Sequence, residues 1–305
     1  MEHGKTLLLI VNPRAGQRKA QRVLSDIVSI FNQEGYRVFT HITAASGDCE
    51  QAILDYANDI DLVVCCGGDG TFNEAASGVI KCGKKLPLGY IPAGSTNDFA
   101  ATLHLSSDML QAARDIACGN ATALDVGSFC GRYFTYVASF GIFTKTSYAT
   151  PQTAKNLLGH AAYMLNSIQE LSQLRSYPLR FELADGEVIE DSFIFGAITN
   201  STSVGGVLSL ANNGVDLSDG NFELLLIRRP KDLIELSDCV WAIQKQTYDC
   251  AILKFRKSPR FLISAPQEMP WTLDGEKEDG RAVIEVDCLK HAISLVYHNP
   301  ASHNE

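Results

Sequence analysis

Residues 62–74 read LVVCCGGDGTFNE: five apolar residues, then Gly67-Gly68-Asp69-Gly70, then Thr71-Phe72-Asn73-Glu74. A short apolar run that stops at glycine is the pattern of a strand buried on both faces. The glycine loop closes that strand and opens a helix, which is where an open α/β sheet binds ligands. Three glycines let backbone come close to a phosphate chain, and a helix start supplies N–H donors and partial positive charge. Thr71 can cap the helix or touch a phosphate. No Lys-Ser/Thr pair follows, so the loop is not a P-loop. A tight strand-to-helix turn with glycine at positive φ would use the same residues for geometry alone.

Outward from this loop the first 120 residues alternate strand and helix patterns. Thr6–Val11 is another continuous apolar run. Ala20, Val23, Leu24, Ile27, Val28 and Phe31 form one helical face that ends at Gly35. Arg37–Ile42 reads as the next strand, and Cys49, Ala52, Ile53, Tyr56 and Ala57 as a second helical stripe. Leu88–Ile91 is a further strand, and Leu110, Ala113, Ile116 and Ala117 a helix closed by Gly119. This alternation predicts an α/β, doubly wound, mostly parallel sheet.

Two more loops leave strand ends on the side where Gly67–Gly70 leaves its own. Asn12-Pro13-Arg14-Ala15-Gly16 follows the first strand, and Pro92-Ala93-Gly94-Ser95-Thr96-Asn97-Asp98 follows the fourth. If the strands are parallel, all three converge on one crevice, and Thr43 at the end of the second strand can reach it. Asn97 and Asp98 also suit a plain helix cap.

After about Asp125 the rhythm changes. Tyr133–Phe140 is strand-like, and Phe181–Leu183 and Phe193–Thr199 flank the hairpin turn Asp185-Gly186. Phe222–Ile227, Phe261–Ile263, Trp271–Leu273 and Val283–Val286 add strands. Gly159–Leu174 reads as a helix, and Leu233, Leu236, Val240 and Ile243 lie on one face of another. Strands joined by polar turns predict a C-terminal antiparallel, β-sandwich-like domain. The last strand, Ala292–Tyr297, suits either domain. The expected division is an α/β domain over residues 1–125, which 290–305 can rejoin, and a β-rich domain over 126–289.

Composition narrows the function. A formal net charge of −9 argues against a nucleic-acid binder. Nine scattered cysteines with no CxxC pair indicate neither a disulfide scaffold nor a zinc site. No apolar run approaches a membrane span, and Leu7–Val11 is too short for a signal peptide, so a cytoplasmic protein is expected.

Phosphoryl transfer needs a base for the acceptor hydroxyl and a metal to neutralise phosphate charge. Asp274 and Glu276, in Trp271-Thr272-Leu273-Asp274-Gly275-Glu276, offer two carboxylates at a strand end. Asp185-Gly186-Glu187 is the same tripeptide in a plain hairpin, so the tripeptide alone is unspecific. Asp216, Asp219 and Asn221 form an oxygen-rich turn able to hold a hard cation or simply to shape the chain. Two basic clusters, Lys254 with Arg256, Lys257 and Arg260, and Arg228 with Arg229 and Lys231, suit a solvated face or anionic lipid headgroups.

At these residues the chain resembles the bacterial soluble diacylglycerol kinase family, which is related to sphingosine and ceramide kinases. The motifs NPRAG, GGDGTFNE, PAGSTND and WTLDGE occur in that family's order, so the resemblance covers nearly the whole chain. NAD kinases and phosphofructokinases share the GGDG loop but usually not the combination. The resemblance implies an ATP-binding N-terminal domain, a β-rich lipid-binding domain and a cleft between them. It places nucleotide contacts on Asn12, Pro13, Arg14, Ala15, Gly16, Thr43, Gly67, Gly68, Asp69, Gly70, Thr71, Phe72, Asn73 and Ser95. Ser95 stands where the family commonly has Thr, keeping the hydroxyl.

Glu276 matches the family's proton acceptor, with Asp274 in the same motif, and Asp98 a residue facing the lipid headgroup. Asp219 matches the carboxylate of a structural Mg2+ site, with backbone groups of Asp216 and Asn221. Ser218 departs from the Asp that many members carry. The implied function is an ATP- and Mg2+-dependent lipid kinase docking reversibly at the membrane surface, with diacylglycerol as acceptor and phosphatidic acid as product. Phosphorylation of a soluble acceptor such as NAD, and non-catalytic lipid or nucleotide binding, stay open as alternatives. So does a homodimer formed through exposed sheet edges.

Overall fold

The computed structural model describes residues 4–95, 97–141, 175–201, 203–204, 208–209, 215–245, 247–248 and 250–298. The helix expected over Gly159–Leu174 lies outside the described residues, as does Thr96. The chain divides into two units, one running to Leu124 and resuming at His291, the other Asp125–Lys290.

In the first unit the strands are β1 (Thr6–Val11), β2 (Arg37–Ile42), β3 (Leu62–Gly67) and β4 (Pro87–Pro92). All are parallel, in the order β4-β3-β1-β2. The helices are α1 (Lys19–Arg22), α2 (Leu24–Gln33), α3 (Asp48–Tyr56), α4 (Asp69–Lys81), α5 (Asp98–Thr102) and α6 (Met109–Ala117). Leu7, Leu9, Val11, Leu62, Val64 and Cys66 pack with Ile27 and Phe31 of α2 and Ala113 and Ile116 of α6. The intervening Leu8, Ile10, Val63 and Cys65 are equally buried, as double winding requires. The chain steps from β1 outward to β2, then returns to β1's other side as β3. That reversal is a topological switch point, and the loops after β1 and β3 flank it.

The second unit is antiparallel and rich in strands. It contains β5 (Asn120–Phe129), β6 (Arg132–Phe134), β7 (Val137–Gly141), β8 (Tyr177–Leu183), β9 (Val188–Thr199), β10 (Ser203–Val204) and β11 (Leu208–Ser209). It continues through β12 (Phe222–Arg228), α7 (Leu233–Gln244), β13 (Leu253–Ser258), β14 (Arg260–Ser264), β15 (Trp271–Leu273), β16 (Glu276–Glu278) and β17 (Val283–Tyr297). The expected hairpin at Asp185-Gly186 joins β8 to β9, with Gly186 at φ +87. The first half of β9 carries β8, and its second half pairs with both β7 and β12. Trp271 anchors the core, its ring 5.2 Å from Phe129 and 4.9 Å from Phe140.

Three expected strands change. Tyr133–Phe140 is interrupted at Thr135 and Tyr136, because their N–H groups serve a buried carboxylate instead of a ladder. Val283–Val286 and Ala292–Tyr297 are one strand, β17; residues 283–287 pair antiparallel with β14, and 294–296 run parallel to β4. The strand β5 and the basic strand β13 were not foreseen.

Gly89 in β4 lets α6 lie close to the sheet. A Cβ there would meet Ile116 Cγ2 at 2.7 Å and Val64 Cγ2 at 3.1 Å. Gly89→Ala is expected to overpack this seam and lower stability by about 1–3 kcal/mol, read as a lower urea midpoint at unchanged slope.

Candidate active site

The first unit brings the three expected loops together at the C-terminal ends of β1, β3 and β4. Gly16 sits at φ +51, and a Cβ there would fall 1.9 Å from the Ala93 carbonyl oxygen. A Cβ on Gly94 would lie 2.6 Å from Gly68 Cα. Ala93 N–H donates to Gly67 O at 2.7 Å, and Asn12 N–H to Cys66 O at 2.9 Å. Asn12 also spans two loops with its side chain: Nδ2 donates to Thr71 Oγ1 at 3.0 Å, while Oδ1 accepts Arg14 N–H at 3.0 Å. Glycine is needed here so that loop can touch loop.

The helix α4 starts at this junction. Its cap residue is Gly68, and no side chain caps it. Thr71 lies inside the first turn, buried, accepting from Asn12 rather than capping. The Phe72 side chain is in the core, its ring 4.6 Å from Phe99 and 4.7 Å from Tyr90. Asn73, Pro13, Ala15 and Gly70 are half-buried; Arg14 and Ser95 are exposed. Thr43 is held at the same sheet edge by its N–H, which donates to Val11 O at 3.0 Å.

The two carboxylates of GGDGTFNE have distinct structural duties. Asp69 accepts the N–H groups of Asp98 (3.1 Å) and Phe99 (3.3 Å), capping α5 in place of Asn97. Asn97 itself is left-handed and braces its own loop through Gly94 and Tyr90. Glu74 accepts from Ser46 Oγ, Gly47 N–H and Cys49 N–H at 3.0, 2.8 and 3.3 Å, capping α3. The only sequence signal for Glu74 was Gly47, a cap position with no side chain of its own.

In the second unit Asp274 and Gly275 both have positive φ (47° and 88°) and close a two-residue hairpin between β15 and β16. The Asp274 carboxylate is buried and accepts Thr135 N–H (2.6 Å), Thr135 Oγ1–H (2.8 Å), Tyr136 N–H (3.0 Å) and Val137 N–H (3.0 Å). Burial pushes its carboxyl above the ordinary aspartate value, while these donors pull it back toward the ionised form. Both oxygens are engaged, so Asp274 builds the turn and leaves Glu276 as the accessible carboxylate. Glu276 Oε2 lies 2.6 Å from Arg132 Nη2. Arg132 carried no motif and was missed. In the matching tripeptide Asp185 is exposed and merely accepts Glu187 N–H at 2.9 Å.

The oxygen-rich turn folds around Asp125, a buried strand residue that sequence reasoning passed over. Asp125 Oδ2 accepts Gly220 N–H at 2.6 Å. Asp216 Oδ1 accepts the N–H and hydroxyl of Ser218 at 2.9 and 2.8 Å; these bonds, with Lys257 and Lys290 nearby, hold its carboxyl below the usual range. Asp219 Oδ1 accepts Asn221 N–H at 2.7 Å. Among the described residues no three Asp, Glu, His or Cys form a ready-made cation cage. One carboxylate with backbone carbonyls is an all-oxygen donor set compatible with a hydrated hard cation such as Mg2+, although Lys290 Nζ already donates to the Asp219 carbonyl at 3.2 Å. The buried Glu223 beside them keeps Oε2 without a hydrogen-bond partner, an unmatched oxygen that a hydrated cation would suit.

The basic segments are largely matched internally. Arg256 pairs with Glu187 at 2.7 Å, Lys257 with Glu223 at 3.0 Å, and Arg228 with Asp191 and Glu235 at 3.8 and 3.9 Å. Arg260 pairs with Glu285 and Asp287. Among the described residues no helix is long and apolar enough to cross a membrane.

A switch-point sheet whose loops interlock by glycine and an antiparallel unit carrying an acidic hairpin define an α/β chain of two compact units. Residues 6–129 match the family model for the diacylglycerol kinase catalytic domain. The chain is 31% identical over 274 residues to the diacylglycerol kinase of Bacillus subtilis (strain 168), covering 89% of this chain and 90% of that one. It is 30% identical over 274 residues to the diacylglycerol kinase of Staphylococcus haemolyticus, covering 89% and 82%. The crystal structure of a diacylglycerol kinase from Bacillus anthracis str. Sterne aligns with a TM-score of 0.73 at 22% identity over 99% of both chains, a likeness of fold. The chain belongs to the diacylglycerol kinase family.

Asp98 is half-buried at the start of α5, and burial pushes its carboxyl above the ordinary aspartate value. An acid shifted this way destabilises the fold where both states are ionised, and the penalty fades as pH falls toward the unfolded value. Asp98→Asn is therefore expected to be more stable than the parent at pH 7, with the gain shrinking toward about pH 4, as thermal unfolding across that range would show.

Proposed function

We propose that the chain is an ATP-dependent lipid kinase that transfers the γ-phosphate of ATP to the free hydroxyl of diacylglycerol, giving phosphatidic acid and ADP. The observation that carries this reading is the junction of the loops at Asn12–Gly16, Gly67–Asn73 and Ala93–Ser95, in a chain with the family's acidic hairpin. Fixed backbone around an uncapped helix start is a setting for a polyphosphate, with Thr43 and Ser95 as hydroxyl contacts at its margin. In the assignment we favour, Asp98 meets the lipid headgroup. Glu276 takes the proton of the attacking hydroxyl as the new O–P bond forms and the bond to the β-phosphate breaks. Asp274 holds the turn that presents it. Mg2+, when bound, supplies neutralisation of phosphate charge, and Asp219, with backbone groups of Asp216 and Asn221, would hold a structural ion. The protein docks on the membrane surface from the cytoplasmic side, without spanning it, and pairing of two copies is compatible with this reading.

The test is transfer of labelled phosphate from ATP to diacylglycerol, phosphatidylglycerol, ceramide or sphingosine in mixed micelles, with NAD in detergent-free buffer as the soluble acceptor. Labelled phosphatidic acid is expected. Glu276→Gln should lower turnover by about 100-fold or more with ATP binding nearly intact, in line with removal of a general base. Label on NAD alone, or full turnover by Glu276→Gln, would overturn the reading.

A further inference from the structure

The residue that most constrains Glu276 comes from a different hairpin. Cys130 (φ +49) and Gly131 (φ +88) make a two-residue turn between β5 and β6, which sets Arg132 directly opposite Phe129. Across from it, Glu276 and Glu278 are two residues apart on β16 and so share one face of that strand. The Arg132 guanidinium reaches both. Nη1 lies 2.7 Å from Glu278 Oε2 and 3.4 Å from Lys277 O, while Nη2 lies 2.6 Å from Glu276 Oε2.

The two carboxylates are not equivalent. Glu278 is buried and also receives Arg281 Nη2 at 3.4 Å, so it is the fixed end of the bridge. The Glu276 side chain is 58% exposed, and this contact holds it. An exposed ion pair contributes little to stability, because water screens it and ordering two long side chains costs entropy. Its effect is geometric: the planar fork of Arg, already seated on Glu278, pins Glu276 Oε2. A general base gains from being held in place before the acceptor arrives.

We propose that Arg132 is the positioning residue for Glu276, with Glu278 as its anchor. The inference rests on the reading of Glu276 as proton acceptor, and it adds a residue that none of the site motifs contains.

The experiment uses the full chain in the mixed-micelle assay with diacylglycerol. Arg132→Ala should lower kcat by about 10- to 100-fold with KM for ATP at the parent value, and kcat is read well below the variant's own Tm, which should fall because the buried Glu278 loses a partner. Ethylguanidinium added to Arg132→Ala should restore part of the lost kcat, and Arg132→Lys should fall between parent and Ala. Glu278→Gln should lower kcat less than Arg132→Ala. Parental kcat in Arg132→Ala, or a loss that neither Lys nor ethylguanidinium relieves, would overturn the proposal. Glu276→Gln in the same assay separates the two ideas. If it is inactive while Arg132→Ala is fully active, only the positioning role fails; if it is fully active, the reading of Glu276 fails.

Discussion

Gly68 and Gly94 approach so closely that a single methyl group cannot be placed between them: a Cβ on Gly94 would lie 2.6 Å from Gly68 Cα. The same holds between Gly16 and Ala93. These contacts turn separate strand-end loops into one rigid surface, and the sheet order gives them somewhere to meet. With β1 between β2 and β3, the chain reverses direction at the point where the Asn12 and Gly67 loops emerge. Asn12 then ties its loop to Thr71, and Asp69 ties α4 to α5. A side chain at any of these glycines would separate loops that the rest of the unit is built to join.

The tripeptide Asp-Gly-Glu shows how the same letters acquire different chemistry. At Asp185 the carboxylate is in water and closes a local turn. At Asp274 it is buried and organises the backbone of a neighbouring segment, at the expense of a continuous strand there. Burying a carboxylate is costly unless donors meet it, and the interruption at Thr135–Tyr136 supplies them. The tight hairpin that follows projects Glu276 outward. Of the two acids, one is structural because it is saturated, and the other is available because it is not.

The parallel half was legible because strands buried on both faces leave uninterrupted apolar runs. Thr6–Val11 is such a run and matches its expected bounds; Arg37–Ile42 also matches, although it is a largely exposed edge strand with no such run. The antiparallel half was read less well. The ends of β17 look like separate strands because the stretch between them, Asp287–His291, is only partly buried and breaks the apolar pattern. The strand β13 hides behind Lys254, Arg256 and Lys257; Arg256 pairs with Glu187 in the β8–β9 turn and Lys257 with Glu223 of β12. The site motifs could be located, but not the duties inside them. Asp69 and Glu74 read as ligand contacts or helix residues, and their capping of α5 and α3 depends on segments about 25–30 residues away. Arg132 was invisible for the same reason: its partners lie 144 and 146 residues downstream.

For the proposed kinase, a net charge of −9 is an unexpected setting for a polyanion, and the distribution of cations sharpens the point. Several of the arginines and lysines that cluster in sequence are occupied by carboxylates of the second unit. In the first unit the loop junction is built mainly from glycine, alanine, asparagine and threonine, with Arg14 exposed at its margin. In the proposed nucleotide site, oriented backbone dipoles of this junction would supply attraction for phosphate. Such dipoles act at short range and only when rigidly held. The demand for rigidity explains why glycine, otherwise the most flexible residue, is used here where neighbouring backbone leaves it no freedom to move. It also accounts for a carboxylate, Asp69, within the motif: its charge is spent on the N–H groups of α5, bracing the surface.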